Sequence, residues 1–303
     1  MKEYEDIGQS REWQKIEFVY KGWSDDRKYK VMTDEGEDLL LKIADIEEFP
    51  KKKKEFEIVK SLEDKKLIMP KAIDIGVCNN EQSIYSLYTW INGNDAEVEM
   101  KKFSREKQYE FGVIAGKYLK DIHSINAPKS IENWELRYNK KIDEKINNYK
   151  KCGISLKGEK RILNFINKNR KLLKNRPQCL QHGDYHLGNM IITPEKTLGI
   201  IDFNRYSYGD PWEEFNRITW CVKISPDFAS GYINGYFNNN VPKKFFKYLL
   251  FYICCNGIGS ISWAIPFGEE EVNLMINEMN NVMQWYDKFE SEIPKWYFIK
   301  KEL

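Results

Sequence analysis

Between residues 15 and 88, apolar and polar positions alternate in short runs separated by turn residues, the period-two signature of half-buried strands. Residues 15–20 (Lys-Ile-Glu-Phe-Val-Tyr) open the series. Gly22, Trp23, Ser24, Asp25 and Asp26 read as a turn, residues 27–32 as the returning strand, and residues 39–43 as a third. Over residues 54–62 the period lengthens, and Phe56, Val59 and Leu62 fall on one face of a helix. Pro70 marks a turn. Residues 73–77 and 83–88 are two further strands, joined through Asn79, Asn80 and Glu81.

Past residue 100 the helical period dominates. Residues 104–124 place Phe111, Ile114, Ala115, Tyr118, Leu119 and Ile122 on a common face. The charged, Lys-rich stretch 134–176 keeps helical spacing at Ile142, Ile146 and Tyr149 and again at Ile162, Phe165 and Ile166. Asp210 before Pro211 suits the N-cap of a helix running through Trp220. Residues 228–237, 244–261 and 272–289 are helical and rich in aromatic or apolar side chains. The pattern predicts an α+β chain whose strands gather near the start.

One stretch interrupts the helices. Cys179 and Leu180 close a short apolar lead-in, residues 190–193 and 198–201 are short apolar runs, and Pro194 to Thr197 form the turn between them. Such a hairpin brings Asp202 back beside the loop that holds Asp184 and Asn189. Two carboxylates and an amide are then expected to converge. Magnesium at a phosphate site takes oxygen ligands and few of them from protein, so Asn189 and Asp202 suit that task. Asp184 is left to accept a hydroxyl proton. Phosphoryl transfer needs this set: a positioned hydroxyl, a carboxylate beside it and magnesium on the phosphates. The alternative is a polar hairpin whose His182 and Asp184 are satisfied locally.

The spacing His182-Gly-Asp-x4-Asn189, followed by Ile201-Asp202-Phe203, resembles the aminoglycoside phosphotransferase family. It is related to the protein-kinase pattern H-R-D-x4-N with D-F-G, with Gly183 in place of the Arg and Asn204 in place of the Gly. The resemblance implies a two-lobed, protein-kinase-like α+β fold. A small antiparallel sheet lobe would span residues 1–91, with a hinge at its end. A mostly helical lobe would span 92–303, with a helical insertion at about 134–176 beside the acceptor site.

It further implies site residues. Lys42, in an apolar strand, becomes the lysine that reaches the nucleotide phosphates; the alternative is a snorkelling edge residue. Its acidic partner is Glu55, with Glu57 as the fallback. Ser24 sits in the turn that would cover the phosphates, a turn with one glycine and equally readable as an ordinary hairpin. Tyr88 falls at the gatekeeper position, where a bulky aromatic crowds adenine and leaves ATP and GTP both open; otherwise it is a core aromatic. The backbone groups of Thr89 and Ile91 would read the purine edge. His123 resembles a histidine at a family helix end and is read as structural. Asp210, Glu213, Glu214, Asp227 and Glu270, with Glu269 and Glu271, are candidates for binding a cationic acceptor, each also readable as a helix-terminal or surface carboxylate.

Composition trims these possibilities. A hydrophobic share of 42% supports a packed core in a chain of 303 residues, and a net charge of +2 gives no general basic field for nucleic acid. The dense basic run Lys51 to Lys54 is read as a solvated face preceding the helix. Six cysteines without a C-x-x-C pair are expected to be buried free thiols in a reducing compartment. No signal peptide opens the chain and no 18 apolar residues run together. The expectation is a cytoplasmic monomer without a membrane partner.

The sequence thus reads as a small-molecule O-phosphotransferase using ATP or GTP and Mg2+, with an aminoglycoside antibiotic as acceptor. The same chemistry on choline, ethanolamine, a thio-sugar, homoserine, a fructosamine or a macrolide is the alternative. A non-catalytic nucleotide-binding homologue is opposed by the intact set Lys42, Asp184, Asn189 and Asp202. A protein kinase is disfavoured, since no activation segment ending in Ala-Pro-Glu is found.

Overall fold

The computed structural model describes residues 2–20 and 25–299. In chain order, β1 (Trp13–Phe18), β2 (Arg27–Thr33) and β3 (Asp38–Asp45) precede helix α1 (Phe49–Ser61). Strands β4 (Ala72–Cys78), β5 (Ser83–Thr89) and the two-residue β6 (Asn94–Asp95) follow. Next come α2 (Ala96–Glu99), α3 (Arg105–Ile122), α4 (Trp134–Lys151) and α5 (Glu159–Asn169). The short strands β7 (Cys179–Gln181), β8 (Met190–Ile192), β9 (Leu198–Ile200) and β10 (Ser207–Gly209) lead to α6 (Ile218–Ile224), α7 (Pro226–Tyr236), α8 (Lys243–Ala264) and α9 (Glu269–Trp285). The chain divides into two compact units: Met1–Asp95 with Met190–Asn204, and Ala96–Asn189 with Arg205–Leu303.

The first unit is built on an antiparallel sheet in the order β1-β2-β3-β5-β4. Its alternation is the one the sequence carries. Leu39, Leu41 and Ile43 of β3 enter a core with Val31, Tyr85 and Leu87, and Tyr4 and Ile7 close over it. The chain start, which has no strong pattern of its own, thereby supplies part of the core. Because side chains alternate along a strand, Lys42 lies on the opposite face. Helix α1 buries Glu55, Phe56 and Val59. It starts at Phe49, with Pro50 in its first turn, ahead of the residues where the period predicts it. The basic run therefore lies inside the helix, and Lys52 is buried rather than solvated. Strands β6, β8 and β9 form a second small sheet of this unit.

The second unit centres on α3 against α7. Gly112 and Gly116 of α3 and Gly231 and Gly235 of α7 leave no room for a side chain: a Cβ at any of them would overlap backbone of the other helix. Ser104 caps α3 by accepting the Lys107 N–H at 3.3 Å. Helix α8 with its following turn, Lys243–Phe267, is long and apolar enough to cross a membrane by length and composition. Here it packs inside the unit: Phe245, Leu249, Phe251, Tyr252, Ile258 and Ile261 are all fully buried. The six cysteines are free, five of them buried.

Candidate functional site

In the first unit, Lys42 and Lys28 stand directly opposite each other on β3 and β2. Lys42 Nζ donates to Glu55 Oε1 at 3.0 Å and lies 3.8 Å from Asp202 Oδ1. Of the two acidic candidates, Glu55 meets Lys42, while Glu57 is exposed. Burial opposes the charge on Lys42, but Glu55 and then Asp202 outweigh it and hold the amine above its ordinary pKa. Lys52, one helical turn before Glu55, pairs with Asp26 at 2.5 Å and with Glu55 at 3.7 Å. For Lys28 burial dominates and lowers the pKa, with Asp202 only partly offsetting it.

Asp202 follows β9 with φ of +70°, a left-handed backbone conformation that Asp tolerates better than most residues. Its Oδ1 is buried and accepts no hydrogen bond. A carboxylate oxygen left this way is suited to a cation. Tyr88 is buried, its ring 5.7 Å from that of Phe56 and 5.6 Å from Lys42 Nζ. The hinge expectation needs one correction. The N–H of Thr89 already donates to the Lys71 carbonyl at 3.0 Å, because Thr89 is still in the sheet. Ile91 makes no backbone hydrogen bond among the described residues. Ser24 lies outside the described residues.

In the second unit the loop after β7 is locked by its own residues. Gly183 has φ of +87°, and a Cβ there would overlap the Arg205 carbonyl, so an arginine cannot stand here as it does in protein kinases. Its N–H donates to Glu214 Oε1 at 2.8 Å. Glu214 Oε2 lies 3.5 Å from His123 Nε2, and His123 Nδ1 is 2.9 Å from the Tyr236 hydroxyl. The Tyr185 hydroxyl donates to the Ala115 carbonyl at 2.7 Å, and the Asn189 amide donates to the Asp184 carbonyl at 2.9 Å. The Asn189 side-chain donor is thus engaged with the loop itself, and its oxygen is the group of that amide suited to a metal.

Asp184 is 17% exposed, and its Oδ1 accepts no hydrogen bond. Arg217 Nε lies 3.3 Å from it and His186 Nε2 3.5 Å, while Arg205 Nη1 is 3.7 Å from Oδ2. Burial would raise the carboxyl pKa. His186, Arg217 and Arg205 outweigh burial and hold it well below the usual carboxylate range. The result is a weakly basic carboxylate held toward its ionised form, with one buried oxygen that accepts no hydrogen bond.

The acidic acceptor candidates are largely engaged inside the unit. Asp210 is fully buried and accepts from Arg176 at 2.5 and 2.7 Å, from the Tyr252 hydroxyl at 2.5 Å and from the Trp212 N–H at 2.9 Å. Glu213 accepts from Gln181 at 3.1 Å and from the Tyr138 hydroxyl at 3.4 Å. Glu214 serves Gly183, and Asp227 takes a bidentate pair from Arg105 at 3.0 and 3.2 Å. These four carboxylates are thus bound within the unit, the structural reading that each carried beside the acceptor-binding one. Glu269, Glu270 and Glu271 form the first turn of α9, and Glu270 is exposed. The sequence reading missed Lys28, Lys52, Arg176, Arg205 and Arg217. Only the lysines carried a local signal, lying in a strand and a helix that flank Lys42.

An antiparallel-sheet unit with a lysine–glutamate pair, followed by a mainly helical one with a catalytic-type loop, defines the protein-kinase-like fold of the aminoglycoside kinases. The chain belongs to the phosphotransferase enzyme family, whose model matches residues 15–245, more than half of the sequence. The structure is similar to aminoglycoside phosphotransferase APH(2'')-Ib with ADP bound, at 19% identity and a TM-score of 0.65 over 92% of this chain and 97% of that one. It is also similar to APH(2'')-IIa in complex with gentamicin, at 19% identity and a TM-score of 0.64 over 97% of each chain. For APH(4)-Ia the identity is 11% and the TM-score 0.65, over 90% of this chain and 94% of that one. Comparison with curated proteins gives no match.

Proposed function

We propose that this chain transfers the γ-phosphate of ATP or GTP to a hydroxyl of a small molecule. The observation that carries the proposal is Asp184: a carboxylate kept ionised by His186, Arg217 and Arg205, with one oxygen accepting no hydrogen bond. A substrate hydroxyl donating to this partly exposed carboxylate would be held in line. A carboxylate this weakly basic orients the hydroxyl and takes its proton late, which suits the loose transition state of phosphoryl transfer. Lys42, fixed by Glu55, would bind the donor phosphates. Asn189 and Asp202 are the proposed magnesium ligands. Among the described residues no three His, Cys, Asp or Glu side chains are grouped to hold a metal, in keeping with an ion that takes most of its ligands from phosphate and water. Magnesium, when bound, neutralises charge on the phosphates. Most of the catalysis would be positioning and electrostatics.

For the acceptor, an aminoglycoside is one reading, supported by the neighbours in fold. The engagement of Asp210, Glu213, Glu214 and Asp227 favours a second, an alcohol with fewer positive charges. The test is nucleotide consumption, with ATP and GTP separately, against aminoglycosides, macrolides and metabolite alcohols. Stimulation by one acceptor, lost in Asp184→Ala while nucleotide still binds, supports the proposal. Undiminished turnover in that variant removes Asp184 from its role.

A further inference from the structure

On the β2–β3 face that carries Lys42, every lysine has a carboxylate except one. Lys42 has Glu55 and Asp202, and Lys52 of α1 has Asp26 and Glu55. Lys30, two residues along β2 and on the same face, pairs with Asp38 at 2.9 Å and lies 5.2 Å from the centre of the Trp90 ring. Lys28 has no carboxylate within ion-pair distance among the described residues, yet it is half-buried and stands opposite Lys42 in the register. Like charges directly opposite in a sheet repel. Such a placement is unfavourable for the free protein and becomes favourable when an anion arrives between the two amines. We propose that Lys28 is a second lysine for the donor's phosphate chain, acting with Lys42 on a polyanion that Lys42 alone would neutralise poorly. The proposal rests on the kinase reading above. It assigns Lys28 to nucleotide affinity, as a positioning residue, and gives it no part in proton transfer.

The experiment is equilibrium binding of ATP, inorganic tripolyphosphate and adenosine to the full-length wild type and to Lys28→Met, Lys28→Arg and Lys30→Met. Losing one charge-assisted contact predicts about tenfold weaker ATP and tripolyphosphate binding in Lys28→Met. Adenosine binding should be unchanged, Lys28→Arg should recover most of the loss, and Lys30→Met should bind as wild type. Thermal unfolding should show Lys28→Met at least as stable as wild type, since a repulsion is removed. ATP binding unaltered in Lys28→Met overturns the proposal while leaving the kinase reading in place, as does an equal loss of adenosine and ATP, which would indicate packing. A wild type that binds none of the three ligands overturns both.

Discussion

The two charged regions are assembled in opposite ways. Around Lys42, cations and anions alternate through a sheet face and a helix, so that Lys42, Glu55, Lys52, Asp26 and Asp202 form a chain of pairs with Lys28 left over. Around Asp184, one carboxylate faces three basic side chains and none of them closes a hydrogen bond with its Oδ1. The first arrangement leaves one lysine, Lys28, without an ion pair among the described residues, which suits an incoming polyanion. The second leaves a carboxylate with a hydrogen bond still to accept, which suits a hydroxyl. The proposed donor and acceptor-activating roles would place opposite demands on charge, and each region suits one of them.

The comparison is broken most directly at Asp184. Asp184→Ala should lower turnover by about 10³-fold, the scale of a general base, with nucleotide affinity held within a factor of a few; steady-state kinetics beside a binding titration separate the two. Next in size is Asp210, which belongs to neither region but supports the second through Gln181, whose amide donates to the Asp210 carbonyl at 2.9 Å. Asp210→Ala leaves the Arg176 guanidinium buried and unpaired and should cost roughly 3–5 kcal/mol of stability, read by denaturant unfolding.

Glu55→Gln sharpens the first region. It keeps the shape, removes the charge that holds Lys42, and should raise the KM for nucleotide about tenfold while leaving the acceptor KM unchanged. An unaltered nucleotide KM would mean that Lys42 needs only Asp202. The smallest effect should come from Arg217→Met. Asp184 titrates below its ordinary 3.8, so the stability it contributes is complete above that pH and is lost only as the pH falls through the depressed value. Removing Arg217 raises that value, so the acid limb of activity and of unfolding should both move to higher pH, by less than one unit. An acid limb that does not move would show that His186 and Arg205 suffice.

The sequence made the first unit readable because its strands are short, alternating and separated by turn residues. The Lys42–Glu55 pair was legible because a lysine in an apolar strand calls for an acidic partner and the next helix supplies one 13 residues on. The expectation for Asp184, Asn189 and Asp202 came from their spacing around the short strands β8 and β9. What stayed hidden were partners set by the tertiary fold. Arg176 and Asp210 are 34 residues apart, Tyr252 and Asp210 are 42, and Arg105 and Asp227 are 122. A carboxylate near a helix start reads as a free ligand until its distant partner is found. Thr89 read as hinge because a strand's last residue cannot be told from the first residue beyond it. Tyr4 and Ile7 read as unpatterned because two apolar residues in a charged segment have no period.

The glycine seam between α3 and α7 bears on all of this. Ala115, whose carbonyl accepts the Tyr185 hydroxyl, lies between Gly112 and Gly116, where the two helix backbones touch. Tyr185 is the residue after Asp184. The placement of the Asp184 loop is therefore tied to the backbone of a seam lined by glycines. One added methyl at Gly112 would wedge the helices apart and carry the loop with it. Screening this protein for lost activity by looking only at charged residues would miss positions such as Gly112.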